Sequence, residues 1–245
     1  MPQNIYDNEI FFQGYKRLRD TGAGLNDCLE QPAFRKLVPN IKGKILVDLG
    51  CGMGHLASWC VSQGAAKVTG IDISEKMLGI ARERHSSEKI EYRRGSLEEF
   101  AFPAESVDVI LSSLAFHYTA DYNGLLKRIF SALKPGGYLL ASMEHPVMTC
   151  SHFAAGWNQD EQGNNLNWRM DDYQHEGLRK GHWYVDNVER YHRTISTLIN
   201  GLINNGFVVE HVSEPEAIPE AITTRPDLTD HSRRPPFLIL KAKKP

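Results

Sequence analysis

Along the chain, short unbroken apolar runs alternate with longer stripes of 3.6-residue period. Ile45-Leu46-Val47-Asp48-Leu49 is a run of β-branched and leucine residues, which predicts a strand buried on both faces. It empties into Gly50-Cys51-Gly52-Met53-Gly54, after which residues 55–61 carry apolar side chains at helical spacing. Residues 67–72 predict a second strand; Ser74 then caps a helix whose inner face is Met77, Leu78 and Ala81. Residues 90–93 and 107–111 predict the third and fourth strands. Asp121 opens a helix with Tyr122, Leu125, Leu126, Ile129, Phe130 and Leu133 on one stripe. Lys134-Pro135-Gly136-Gly137 ends it before a fifth strand over 138–142. A stripe through Val188, Tyr191, Ile195, Leu198, Ile199, Leu202 and Ile203 predicts a last helix, with Gly206 at its end. Strands over 207–212 and 237–242 follow, the final one expected antiparallel. This order implies an α/β fold: a doubly wound, mostly parallel seven-stranded sheet whose ligand lies at the carboxyl ends of its strands.

Two stretches stand outside that rhythm. Residues 1–43 hold Tyr6, Phe11, Phe12, Tyr15 and Phe34 and predict a helical cap across the domain, with Pro32 in a first helical turn. Residues 143–187 hold three of the four tryptophans, Trp157, Trp168 and Trp183, and four of the ten histidines. Structureless loops beyond about 12–15 residues are uncommon, so this segment is expected to be an inserted lid with structure of its own, hanging over the site. The expected organisation is one domain over 1–245: cap 1–43, ligand-binding core 44–142, lid 143–187, and last helix and strands 188–245.

Composition narrows the partners. At 245 residues with a formal net charge of −2, the chain offers no global electrostatic reason to bind nucleic acid or an anionic membrane. Cys28, Cys51, Cys60 and Cys150 lack C-x-x-C spacing and suit neither a disulfide scaffold nor a metal site; no metal is expected. With no signal-like start and no apolar stretch of spanning length, a cytoplasmic protein is expected, monomeric or homodimeric.

The glycine loop carries the first chemistry. Glycines without Cβ let backbone approach a ligand, and the helix behind them points free amides at it. A nicotinamide dinucleotide site wants G-x-G-x-x-G, whereas here His55 stands where the last glycine would. Asp72 ends the second strand, where a carboxylate can accept two ribose hydroxyls. Asp48-Leu49-Gly50-Cys51-Gly52-Met53-Gly54, then Gly70-Ile71-Asp72-Ile73-Ser74, then Leu133-Lys134-Pro135-Gly136-Gly137 closely resemble the class I S-adenosylmethionine-dependent methyltransferases, and the whole chain resembles their small-molecule branch. The resemblance implies S-adenosyl-L-methionine as cofactor, with Gly50, Cys51, Gly52 and Gly54 as its loop. It implies Asp48 at the methionine ammonium, Asp72 at the ribose, Ile73 and Met77 flanking the adenine, Ser96 and Leu97 beside it, and Ser113 and Leu114 along the methionyl portion. The family often has an acidic residue where Ser96 stands. Tyr15 and Arg19 are candidates to close over the cofactor, the arginine toward its carboxylate.

Methyl transfer from a sulfonium is an in-line displacement, so the protein chiefly aligns the acceptor and excludes water. An oxygen or protonated nitrogen acceptor also needs its proton removed. His117, Glu144, His145 and His192 are the candidates, His145 and His117 first, with His192 placed on the inward stripe of the last helix. The lid's aromatics suit a small-molecule acceptor, planar or apolar. The rival readings are an RNA-directed methyltransferase, a non-catalytic S-adenosylmethionine-binding protein and a nicotinamide oxidoreductase.

Overall fold

The computed structural model describes residues 2–152 and 156–245, so residues 153–155 of the expected lid lie outside the description. The α/β expectation holds: seven strands form one sheet in the order β10-β11-β5-β4-β1-β2-β3. In chain order they are β1 (Ile45–Leu49), β2 (Lys67–Asp72), β3 (Ile90–Arg94), β4 (Val107–Ser112), β5 (Leu133–Glu144), β10 (Val208–Ser213) and β11 (Phe237–Lys243). The first five run parallel; β11 inserts antiparallel between β5 and β10, as expected of the last strand.

The helices are α1 (Glu9–Thr21), α2 (Gln31–Leu37), α3 (His55–Ser62), α4 (Glu75–Arg84), α5 (Tyr122–Ala132), α6 (Pro146–Thr149), α7 (Ile195–Asn204) and α8 (Pro219–Thr224). Caps set their starts: Ser74 Oγ accepts from the Met77 amide at 3.1 Å, and Asp121 Oδ1 from the Gly124 amide at 2.8 Å. α5 and α7 cover one face of the sheet, packing Leu125, Ile129, Leu198 and Leu202 against Val47, Ile110 and Leu139. α2 and α3 cover the other, with Phe34, Leu56 and Cys60 against Leu46, Val68 and Leu111. Burial on both faces explains why the strands read as unbroken apolar runs, each fully buried Leu or Ile contributing about 1.5–3 kcal/mol. Among the described residues no helix is long and apolar enough to cross a membrane.

The segment after β5 has its own structure: α6, the hairpin β6 (Trp157–Gln159) with β7 (Asn165–Trp168), and the hairpin β8 (Gly177–Trp183) with β9 (Val185–His192). One expectation is corrected here. The last helix does not begin near Val188: residues 185–192 are strand β9, and α7 starts only after Thr194, whose Oγ1 accepts from the Thr197 amide at 3.1 Å. Val188 and Tyr191 are three apart, which fits a helix, but the segment pairs antiparallel with β8, Tyr191 opposite Leu178 and Val188 opposite Gly181. Added structure therefore runs from α6 through His192, five residues past the expected lid, and His192 lies on a strand rather than on a helix.

Candidate active site

At the carboxyl end of β1 the chain turns through Gly50, Gly52 and Gly54, with φ of 76°, 52° and 84°. A Cβ on Gly50 would stand 2.5 Å from the Ala115 Cβ, and one on Gly54 2.4 Å from the Tyr92 hydroxyl. Gly50 and Gly54 are therefore close-packed. At Gly52 a Cβ would meet nothing within 4 Å, and this residue lines a cavity of about 560 Å³ that also takes in Gly50, Cys51, Asp48 and Asp72. Gly54 caps α3 behind the cavity wall.

The two aspartates differ. Asp72 Oδ2 accepts from the Gly52 amide at 2.8 Å and Oδ1 from the Ser74 amide at 2.9 Å. A carboxylate has about four lone-pair sites, so two remain for a ligand. Burial raises its carboxyl to about 6, against the pull of those amides. Asp48 is 1 % exposed, and neither of its oxygens has a hydrogen-bond partner. Burial, then the charge of Asp72, raises it to about 8. An unpartnered buried carboxyl on a cavity wall is a receptor for a cation or a hydrogen-bond donor.

Ile73, Met77, Ser96, Leu97, Ser113, Leu114, Tyr15 and Arg19 line the same cavity. Ser113 is fixed by a residue that gave no local signal: the fully buried Glu30 accepts from Ser113 Oγ at 3.0 Å and from Ser142 Oγ at 2.5 Å. Leu114 sits in the left-handed region, φ 54°, held where its amide donates to the Ser142 carbonyl at 3.1 Å. Arg19 pairs with Asp27 at 2.9 Å.

At the far end of the cavity stand His117, Tyr118, Glu144, Trp183 and Arg190, with Tyr6 from the amino-terminal segment. His117 Nδ1 accepts from the Glu144 amide at 3.2 Å, which puts the proton of the neutral ring on Nε2. Burial, then Arg190 and Arg193, holds its pKa well below the ordinary value, so the ring stays neutral and Nε2 is a donor. Glu144 forms an ion pair with Arg190 at 3.0 Å, and Tyr6 and Tyr118 share a hydroxyl contact of 3.2 Å. The other two candidate histidines do not line the cavity. His145 Nδ1 accepts the Val147 amide as the cap of α6, while Nε2 meets Glu214 at 2.8 Å. His192 is bound by Thr149 Oγ1 and by the Tyr173 carbonyl, each at 2.9 Å.

Residues 47–141 match the family model of the methyltransferase domain. An S-adenosylmethionine-dependent methyltransferase from Mesorhizobium loti is 40% identical and superposes with a TM-score of 0.83, covering 90% of this chain and all of its own. A Listeria monocytogenes protein of the same class is 38% identical, with a TM-score of 0.83 over 88% of this chain and 96% of that one. The chain belongs to the class I S-adenosylmethionine-dependent methyltransferases. Its cofactor is S-adenosyl-L-methionine, and the nicotinamide and non-catalytic readings are set aside. This methyltransferase is also 36% identical to an uncharacterized protein of Haemophilus influenzae, over 98% of this chain and 97% of that one.

In the methyltransferase, Arg190 and Gln3 are among the cavity residues that reading by pattern missed. A two-residue period over 188–192 would have put Arg190 on the face of Val188 and His192; taken as a helix, the segment hid it. Gln3 has no sequence signal. Its Nε2 donates to the Asn187 carbonyl and its Oε1 accepts from the Glu189 amide, each at 3.0 Å, so one side chain binds the backbone of β9 twice.

Proposed function

We propose that this methyltransferase alkylates a small, largely apolar or aromatic molecule enclosed between the glycine loop and the β8–β9 hairpin. The observation that carries this reading is the roof. Gln3 ties residues 2–7 to β9, while Asp7 Oδ1 accepts from Ser74 Oγ at 2.6 Å and from the Lys76 amide at 3.1 Å. One segment thus spans from the cofactor end to the acceptor end; its Tyr6 packs edge-to-face with Tyr15, and Tyr15 edge-to-face with Trp183, with centroids 5.2 and 5.8 Å apart. A cavity of this size is typical of small-ligand sites, about 300–1,000 Å³, whereas an RNA or protein chain needs an open groove. Of the basic residues that an RNA reading would use, Arg225, Arg233 and Lys244 pair with Asp227, Asp230 and Glu105, Arg234 lies over Trp168, and Lys241 and Lys243 lie over Tyr138.

S-adenosylmethionine, when bound, supplies an electrophilic methyl group on a sulfonium. The orphaned carboxyl of Asp48 fits the cofactor's ammonium, the free lone pairs of Asp72 its ribose hydroxyls, and Arg19 with the loop amides its carboxylate. Ile73, Met77 and Leu97 give the adenine an apolar slot, with Ser96 beside it. At the acceptor end Glu144 takes the acceptor's proton, and His117 Nε2–H holds the acceptor atom by donating to it. Trp183 and the tyrosines exclude water. His145 and His192 hold the lid in place and do not touch the acceptor.

Labelled-methyl transfer into fractionated cell extract tests this reading. Label is expected in the small-molecule fraction; label retained in RNA or protein overturns the acceptor class. With the acceptor in hand, Glu144→Gln is expected to lower turnover about 100-fold or more while leaving S-adenosylhomocysteine affinity unchanged.

A further inference from the structure

We propose that Arg190, carried by the β8–β9 hairpin, is the positioning residue that keeps Glu144 ionised, so that the acceptor-end base is complete only when the hairpin is seated. This rests on the reading of Glu144 as the base. The geometry is specific. Glu144 is the last residue of β5 in the central sheet, and Arg190 lies on a strand added after it, yet the two meet at 3.0 Å with side chains about one-fifth exposed. The guanidinium also lies 5.8 Å from the Trp183 ring centroid, so the neighbouring strand of the same hairpin braces it. The Gln3 bonds to Asn187 and Glu189 flank it on β9.

The groups that face Glu144 can be named from every side. Arg190 is the cation; Tyr118 and Tyr6 approach as neutral phenols, their pKa values pushed up chiefly by burial; His117 approaches as a neutral ring bound to the Glu144 amide. Nothing else in this group is cationic. Burial drives the Glu144 carboxyl upward and Arg190 opposes it. Without Arg190 the carboxyl would hold its own proton and could not accept one from the acceptor. The pair as a whole is neutral, which disfavours a cationic acceptor group beside the guanidinium and suits a hydroxyl or other neutral group that loses a proton to Glu144 as its methyl bond forms.

The test uses the full chain saturated with S-adenosylhomocysteine and carrying glutamate labelled with carbon-13 at Cδ, the Glu144 resonance being assigned by its loss in Glu144→Gln. In the wild type Glu144 is expected to be ionised at pH 7. Arg190→Gln is expected to move its midpoint up by about one pH unit or more, and Arg190→Lys to restore most of that shift, with S-adenosylhomocysteine affinity unchanged throughout. A midpoint unmoved in Arg190→Gln overturns the proposal. So does a wild-type Glu144 still protonated at pH 7, which needs no variant and is decisive even if Arg190→Gln fails to fold. Full methyl transfer by Glu144→Gln overturns the base reading instead, and leaves the titration shift intact, so the two failures are distinguishable.

Discussion

The two ends of the cavity, proposed for the cofactor and for the acceptor, are built by different means. The first takes its groups from the ends of β1 and β2: Gly50, Gly52 and Asp48 on one turn, Asp72 on the next, joined by the Gly52 amide at 2.8 Å. The second is gathered from afar. Tyr6 meets Tyr118 across 112 positions, and Glu144 meets Arg190 only because a hairpin folds back over the sheet. Backbone amides and conformation-bound glycines do the work at one end, side chains on separate elements at the other. A site of the first kind leaves a short contiguous signature; a site of the second kind leaves none.

Replacing Asp48 probes the first end most sharply. Its carboxyl keeps its proton to about pH 8 in the fold, whereas an unfolded aspartate loses it near 3.8. The native state therefore binds the extra proton, and the cost to stability grows as pH rises from about 4 and levels off above about 8. Asp48→Asn is expected to raise stability at pH 7 by ~4 kcal/mol and leave it unchanged near pH 3, while weakening S-adenosylhomocysteine binding. Urea titrations at the two pH values check the first part, calorimetry the second. Equal stability of the variant at both pH values would remove the orphaned carboxyl from the account.

His192 separates holding from chemistry at the other end. His192→Ala gives up the bonds to Thr149 and to the Tyr173 carbonyl, and is expected to cost about 2 kcal/mol in denaturant unfolding with cofactor affinity unchanged. A variant of undiminished stability that loses turnover would bring the residue back to the reaction. The smallest effect on stability is expected from Gly52→Ala, about 1 kcal/mol for a side chain at φ 52° with no protein atom in its way. Its effect on binding should be the larger one, because Gly52 lines the cavity and the methyl would stand where the cofactor is proposed to lie. Calorimetry that finds full affinity would place the ligand elsewhere.

The same division governs what was legible in the sequence. The strands of the sheet, the caps Ser74 and Asp121 and the antiparallel last strand follow from burial and capping, which act over a few residues. The β8–β9 hairpin was not legible. Its polar face looks to solvent and its few inward residues fit either period, so Val188 and Tyr191 joined the helix that follows, although Thr194 marks that helix's true start. Among the site candidates, His117 and Glu144 line the cavity, Glu144 as the last residue of β5 and His117 in the turn after β4. His145 looked equivalent, but it caps α6 and turns away toward Glu214. Glu30 and Gln3 show only in three dimensions, since their partners lie at Ser113, Ser142, Asn187 and Glu189.

The double bond that Gln3 makes to β9 bears on the order of events in turnover. Residues 2–7 are fastened at Asn187 and Glu189 on one side and at Ser74 and Lys76 on the other, so the proposed cofactor and acceptor ends lie under one strap. If the strap must open for exchange, spent cofactor stays until it does, even when the chemistry is fast. The steady-state rate then reports how often a few hydrogen bonds at the edge of β9 let go, and burst kinetics would separate that release from the transfer itself.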